Sequence, residues 1–313
     1  MTDRSPSLLR PRHLVEGDVV RVVAPSSPFD EAEFEAGIAV LESWGFRPRW
    51  RDDITERRAY LAGPPERRAA ELHEAFEDAE AAAIVAVRGG YGLTTVLPLL
   101  DREIVARNPK ILVGCSDLTV LLSWLVTEVG MTAVHGPMVG ALGRDEDPEG
   151  AQRLRALLTT DGKPSELRSR SEDAYGWCIA PGTARGRAVG GSLSMLAALC
   201  GTPWQLETRG CVLFLEDVGE RPYRVDRLLT QLDGAGLFDA VHAVVIGDMV
   251  NCSDGEALSW RHAVDRVFRS RSFPVLAGVP FGHAAPNLAF PLGVEVEVDV
   301  AAGSVRFRGA PFV

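Results

Sequence analysis

The first half of the sequence alternates short apolar runs with amphipathic segments, and this alternation is what most constrains the fold. Residues 19–25 form an apolar, β-branched run that a proline ends. Apolar residues at helical spacing follow it, namely Phe34, Ile38, Leu41 and Trp44, before a glycine stop at Gly45. Apolar runs at 83–87 and 111–113 each lead into a glycine-containing turn. Strands alternating with amphipathic helices predict an N-terminal α/β domain with a parallel sheet covered on both faces.

The second half mixes helices with strands of two kinds. Residues 192–200 predict a helix, and the apolar runs at 211–215 and 241–246 predict buried strands. Valines alternate with acidic residues over 294–300, the period of two that is typical of a half-exposed antiparallel strand. A last strand is predicted at 304–308. We therefore expect a C-terminal mixed, β-rich α/β domain.

Residues 144–184 show neither the alternating strands and helices of the first half nor the mixed pattern of the second half. Charged residues, glycine and proline dominate this segment, which predicts a surface-exposed connection between two domains. The expected division is an N-terminal α/β domain over 1–150, a connection over 151–184 and a C-terminal domain over 185–313.

Charge and cysteine content exclude several classes of protein. The chain carries 43 acidic and 33 basic residues, a formal charge of −10, which argues against non-specific nucleic-acid binding. It has no apolar run long enough for a membrane span and no segment of signal-peptide type. Five scattered cysteines without a CxxC pair are typical of reduced thiols in a cytoplasmic protein and argue against a structural metal site.

Two turns that follow predicted strands are candidate catalytic or anion-binding sites. In Gly114–Asp117, Ser116 stands between a strand and a helix, where its hydroxyl could be exposed beside backbone N–H groups. Alternatively, Ser116 only caps the helix, and Leu118 departs from the usual G-x-S-x-G pattern. The loop 88–92 is glycine-rich at a strand end and could hold an oxyanion, or it is an ordinary turn. Both loops leave the carboxyl ends of neighbouring strands, where α/β sheets place ligands.

An acid and a histidine in the second half are candidate catalytic partners of Ser116. Glu216 opens an acidic segment directly after an apolar strand, where it could orient a histidine or lie in a solvated loop. His283 lies in a loop punctuated by glycine and proline, a common place for catalytic groups. His135 is a rival candidate. Spacing alone leaves open whether Ser116, Glu216 and His283 meet in space, and each of them has a structural alternative.

Several ordered blocks together resemble the LD-carboxypeptidase family of serine peptidases, which includes the microcin C self-immunity peptidases. The blocks lie at residues 20–28, 87–101, 108–121, 135–138, 190–204, 213–236 and 274–293. The resemblance implies two α/β domains with the active site between them, a homodimer, and no metal or organic cofactor. Cys115 stands where tyrosine is frequent in the family, and we expect it behind the nucleophile with little effect.

The resemblance also implies roles for individual residues. Ser116 would be the nucleophile, Glu216 the acid and His283 the base of a Ser-His-Glu triad. The oxyanion donors would be backbone N–H groups at Gly89, Gly90 and Asp117.

Substrate is the least determined property. The family's usual substrate is a murein tetrapeptide that loses its terminal D-Ala, which implies a small-peptide partner and a role in peptidoglycan recycling. Arg88 or Arg224 could pair with the substrate carboxylate, or either could make a structural ion pair. One alternative is a microcin-immunity-like amidase acting on peptidyl or aminoacyl nucleotides, with Trp177 stacking on a base. Another is a non-catalytic α/β ligand-binding protein.

Overall fold

The structure is a computed structural model that describes residues 8–159, 166–170, 178–255 and 258–313. Its first-half strands are β1 (Val19–Val23), β2 (Arg47–Arg49), β3 (Ala81–Ala86), β4 (Ile111–Gly114) and β5 (Ala133–His135). The remaining strands are β6 (Leu167–Arg168), β7 (Cys178–Ala180), β8 (Thr183–Ser192), β9 (Cys211–Val218), β10 (Ala243–Val250), β11 (Ser253–Asp254), β12 (Leu258–Ser259), β13 (Val275–Ala277), β14 (Phe290–Leu292), β15 (Glu295–Asp299) and β16 (Ser304–Phe307).

The α-helices follow the predicted periodicity in most places. They are α1 (Glu31–Ser43), α2 (Pro65–Glu77), α3 (Arg102–Arg107), α4 (Thr119–Trp124), α5 (Val139–Gly143), α6 (Pro148–Thr159), α7 (Leu193–Leu199), α8 (Pro222–Gly234) and α9 (Trp260–Phe268). α1 begins at Glu31 because the Asp30 side chain accepts hydrogen bonds from the N–H groups of Ala32 and Glu33. No helix among the described residues has both the length and the apolar character that a bilayer crossing requires.

A six-stranded sheet has the order β14-β5-β4-β3-β1-β2. The five first-half strands are parallel to their neighbours, and only β14 runs antiparallel, beside β5. β3 and β4 are buried along their whole length, as expected of strands covered by helices on both faces. The predicted parallel α/β sheet is confirmed.

The second sheet has eight strands in the order β6-β16-β15-β8-β9-β10-β13-β7. Its centre, from β8 to β13, is parallel, and antiparallel strands lie on both sides. β15 is the alternating valine segment, with Val296 and Val298 buried, and it forms a hairpin with β16. The predicted mixed α/β second half is confirmed.

The expectation of a mere surface connection over 144–184 was wrong. α6 buries Leu154, Leu157 and Leu158 in the core that also covers one face of the first sheet. β6 and β7 belong to the second sheet. The three leucines have helical spacing, but the dense charged residues around them hid the amphipathic pattern. The domain limits 1–150, 151–184 and 185–313 stay a prediction, and residues 160–165 and 171–177 lie outside the described part.

The two sheets share one continuous apolar core. This core contains Leu112 and Leu121 from the first half and Phe214, Val244 and Phe290 from the second. Because β14 joins the first sheet although it lies between strands of the second sheet in the sequence, the two halves are joined by backbone hydrogen bonds as well as by packing. The functional loops therefore lie on a shared framework.

Candidate active site

Ser116 lies in a tight turn between β4 and α4. Its φ is +60°, a left-handed conformation that is uncommon for a residue other than glycine. Gly114 is required beneath the turn, because a Cβ there would lie 2.6 Å from the Cβ of Leu118. Residues Ser116–Leu118 form one 3-10 turn that leads into α4. This is the strand–turn–helix context of a serine nucleophile, despite the departure at Leu118.

The glycine-rich loop after β3 packs directly against this turn. A Cβ on Gly89 would lie 2.7 Å from the Cβ and 2.9 Å from the Oγ of Ser116, and 3.1 Å from the nitrogen of Asp117. Gly90 has a φ of +111°, and a Cβ there would lie 2.4 Å from Ser27 Oγ. The structure thus brings Gly89 together with Ser116 and Asp117 and places Gly90 beside the loop that follows β1.

The Asp117 side chain ties three loops together, a role that the sequence reasoning missed. Its Oδ2 accepts hydrogen bonds from Ser26 Oγ at 2.7 Å and from the Leu93 nitrogen at 3.0 Å. Burial raises the pKa of the Asp117 carboxyl, against the lowering effect of these bonds. Buried Arg68 supports the same region by donating to Pro25 O. The sequence position of Ser26 and Asp117 could have indicated this contact, because both residues follow strands of one parallel sheet.

His283 and Glu216 form a close pair. The His283 Nδ1 lies 2.6 Å from the Glu216 Oε2, and the carboxylate, near the end of β9, is fully buried. Gly282 allows this approach, because a Cβ there would lie 2.7 Å from the same carboxylate oxygen. Asn287 fixes the loop by accepting a hydrogen bond from the Gly282 nitrogen at 3.1 Å.

Opposing effects set the ionisation of this pair. Burial acts to raise the pKa of Glu216, but the imidazoles of His135 and His283 hold it below its ordinary value. Burial acts to lower the pKa of His283, but the hydrogen bond and negative charge of Glu216 raise it above its ordinary value. An ionised Glu216 places the Nδ1 proton of His283 between the two residues and leaves Nε2 free to accept a proton.

A cavity of about 130 Å³ lies beside the pair. Cys115, the neighbour of Ser116, lines it together with His283, Met138 and Arg144. Within the described ranges, Ser116 Oγ makes no hydrogen bond to His283, a contact that often tightens only when substrate binds. Although Cys115 borders the cavity, its thiol stays neutral, because burial raises the pKa of that thiol. The described residues contain no cluster of three or more metal-ligating side chains.

The two arginines predicted to bind substrate do not line this cavity. Arg88 is exposed and donates to Pro28 O at 3.3 Å. Arg224 is exposed and pairs with Glu220 one helical turn away. Neither lines the cavity, whereas Arg144, which the sequence reasoning missed as a ligand, does. The sequence did offer one signal for Arg144. It follows β5, whose end lies at the same sheet edge as the end of β4 before Ser116. Trp177 lies outside the described residues.

Two family profiles match the chain. Residues 20–136 match the LD-carboxypeptidase N-terminal domain, and residues 185–298 match the LD-carboxypeptidase C-terminal domain. The murein tetrapeptide carboxypeptidase of Pseudomonas aeruginosa is 32% identical over 287 residues, which are 88% of this chain and 91% of that protein.

Solved structures share the fold over nearly the full length. The muramoyltetrapeptide carboxypeptidase of Oxalobacter formigenes has a TM-score of 0.82 at 27% identity, covering 92% of this chain and 97% of that one. The microcin C7 self-immunity protein MccF of Escherichia coli, in complex with aspartyl sulfamoyl adenosine, has a TM-score of 0.87 at 25% identity. That match covers 97% of this chain and 100% of the other.

The fold and these matches define a serine carboxypeptidase, which is a hydrolase. The chain belongs to the LD-carboxypeptidase family. The predicted family and enzyme class are confirmed, and the non-catalytic ligand-binding alternative is set aside.

Proposed function

We propose that this enzyme hydrolyses the terminal L,D-peptide bond of a murein tetrapeptide, releases D-Ala and serves peptidoglycan recycling. The observation that carries the proposal is the 2.6 Å pair of His283 and Glu216, because His283 lines the same cavity as Cys115, the residue next to Ser116. Relatives named murein tetrapeptide and muramoyltetrapeptide carboxypeptidase support the substrate class.

In the proposed reaction, Ser116 Oγ attacks the carbonyl carbon while His283 Nε2 accepts its proton. Glu216 holds the imidazole tautomer and stabilises the imidazolium. The N–H groups at Gly89, Gly90 and Asp117 stabilise the oxyanion, each contributing about 3–4 kcal/mol. His283 then protonates the leaving amine, D-Ala departs, and His283 activates a water that hydrolyses the acyl-enzyme.

The proposed reaction also determines on which side of the scissile bond the leaving D-Ala lies. His283 must hand its proton to the leaving amine, so D-Ala lies beside His283, away from the oxyanion loop. The cavity at His283 contains Arg144, whose guanidinium is partly exposed and lies 3.2 Å from Glu33 and 3.6 Å from Glu146. We propose that Arg144 pairs with the substrate's terminal carboxylate. This geometry favours Arg144 over Arg88 and Arg224, whose roles stay predictions.

Replacing Arg144 by alanine is expected to raise KM for the tetrapeptide roughly tenfold with a smaller change in kcat, because a charge-assisted hydrogen bond is lost. Steady-state kinetics on the tetrapeptide and on its C-terminal amide measure this. The amide lacks the carboxylate, so Arg144→Ala should leave its KM unchanged. Arg155→Ala, an exposed arginine on α6, is the matched control. An equal effect on both substrates contradicts the assignment.

Replacing Gly89 by alanine is expected to lower kcat about 100- to 1000-fold, because the new methyl group would push the oxyanion loop away from Ser116. The melting temperature is expected to fall as well, because the loop must shift to relieve the same clash, so kcat is measured well below the melting temperature of the variant. Gly234→Ala, in α8 with no atom within 4 Å of the added Cβ, controls for the substitution type. Activity of Gly89→Ala within threefold of wild type argues against this loop as the oxyanion site.

The substrate is tested by incubating the enzyme with murein tetrapeptide and detecting released D-Ala by mass spectrometry. An aminoacyl sulfamoyl adenosine in a parallel reaction tests the second candidate, a microcin-immunity-like amidase. The structural likeness to MccF bound to such a compound favours including it. Cleavage of the nucleotide analogue without release of D-Ala would overturn the murein proposal.

We further propose, from the family resemblance, that the enzyme is a cytoplasmic homodimer that needs no cofactor and no nucleic-acid partner. Light scattering coupled to size-exclusion chromatography measures the oligomeric state directly. A monomer at micromolar concentration contradicts the dimer.

A further inference from the structure

Only one of the two carboxylate oxygens of Glu216 takes part in the pair with His283. Oε2 carries that hydrogen bond, whereas the buried Oε1 has no hydrogen-bond partner among the described residues. The ring of His135 faces this second oxygen, with Nε2 at 3.8 Å from Oε1. The acid therefore lies between two imidazoles, and the proposed mechanism uses only one of them.

His135 is an unusual residue for a purely structural role. It is fully buried, and within the described part of the chain neither ring nitrogen has a hydrogen-bond partner. Its ring stacks on Phe290 at 5.0 Å and meets Phe281 edge to face at 5.7 Å. An aromatic pocket of this kind would hold a phenylalanine without leaving two buried nitrogens unpaired, which is unfavourable. The imidazole nitrogens therefore need a partner, and Glu216 is next to them.

The backbone fixes where this ring can lie. His135 is the last residue of β5 and pairs with Gly114 of β4 on one side and with Phe290 of β14 on the other. Gly114 comes two residues before Ser116 in the nucleophile turn. Glu216 lies on β9 of the second sheet, where it pairs with Ser192. His135 thus links the strand next to the nucleophile with the acid that serves the base.

We infer that His135 is a positioning residue whose Nε2–H donates to Glu216 Oε1 in the working enzyme. An approach of about 1 Å brings the two atoms to hydrogen-bond distance. The second donor keeps the buried carboxylate ionised and fixes its plane, so that Oε2 stays aimed at His283 Nδ1. This inference rests on the proposed triad, and His135 itself touches no substrate.

Two substitutions separate the N–H donor from the ring. His135→Phe keeps a ring that can stack on Phe290 and removes the donor, and we expect kcat to fall about 10- to 100-fold with KM within twofold. His135→Gln places an amide N–H near the position of Nε2 and is expected to restore most of the lost kcat. Activity of His135→Phe equal to or above that of His135→Gln overturns the inference, because a role in packing alone favours Phe over Gln.

A double-mutant cycle tests whether His135 acts through Glu216. In the Glu216→Gln background the carboxylate is absent, so adding His135→Phe should cost less than threefold in kcat. A cost as large as in the wild-type background contradicts the inference. Melting temperatures of all variants are measured beside the kinetics.

One measurement on the wild-type enzyme depends neither on folding of a variant nor on the substrate. Nitrogen-15 NMR of labelled histidine reports which ring nitrogen carries the proton. We expect His135 to be protonated at Nε2, and a proton on Nδ1 alone overturns the inference. If tetrapeptide is not cleaved but the Nε2 proton is found, the proposed substrate fails while the contact with Glu216 stands.

Discussion

Replacing Ser116 by alanine is expected to lower D-Ala release about 10⁴- to 10⁶-fold, the largest effect of any single substitution in this enzyme. The hydroxyl supplies the nucleophilic oxygen, and its turn is held in a conformation that alanine can keep, with φ at +60° in the native chain. Single-turnover kinetics with mass-spectrometric detection of D-Ala measures the loss. The variant should still bind tetrapeptide, because the oxyanion loop and the cavity remain.

Ser123→Ala provides a matched control for this substitution. Ser123 lies in α4 a short way beyond Ser116, and its buried hydroxyl has no hydrogen-bond partner among the described residues. Its removal should leave kcat unchanged. A fluorophosphonate reagent should label the wild type and Ser123→Ala but not Ser116→Ala. Retention of more than a few per cent of activity in Ser116→Ala would mean that the nucleophile is elsewhere.

Replacing Glu216 by glutamine is expected to lower kcat about 10³- to 10⁴-fold and to move the pH profile. In the native enzyme the charge of Glu216 raises the pKa of His283, so kcat/KM increases with pH through a midpoint above that of an ordinary histidine. Without that charge its raising effect is lost, so the pKa of His283 falls, because burial still acts to lower it. The midpoint should therefore shift to lower pH while the rate falls.

The pH dependence of kcat/KM in wild type and variant measures both effects. Glu295→Gln makes the same chemical change on β15 of the same sheet, at an exposed position, and should change neither rate nor midpoint. A Glu216→Gln variant whose rate falls but whose midpoint stays in place would show that Glu216 does not act through the charge on His283.

Local patterns predicted most of the fold because buried parallel strands and amphipathic helices each have a distinctive period. β4, its glycine-containing turn and the helix after Ser116 could be predicted from about ten residues, and so could the loop that contains Gly89. The family resemblance joined Glu216 to His283. Residue spacing could not, because 67 residues separate them and their contact depends on how the chain returns to the first sheet.

Some helices, strands and site residues were not predicted, because they depend on contacts between distant segments or have hydrophobic patterns that charged residues obscure. α6 was overlooked because its three buried leucines lie among charged residues. Arg144 and His135 gained significance only from their neighbours, since nothing local distinguishes an arginine at a cavity from one in a surface ion pair. The antiparallel strand β14 was not predicted, because three residues containing a proline give too short a pattern to identify.

The pairing of β14 with β5 also has a consequence for biosynthesis. Ribosomes deliver β5 long before His283 and β14, so the nascent chain carries an open edge on its first sheet through much of translation. Unpaired edges of this kind are prone to associate with other strands. The strand that covers the edge emerges just after the proposed base. Synthesis of residues 283–292 therefore supplies both the strand that covers the aggregation-prone edge and the proposed catalytic base.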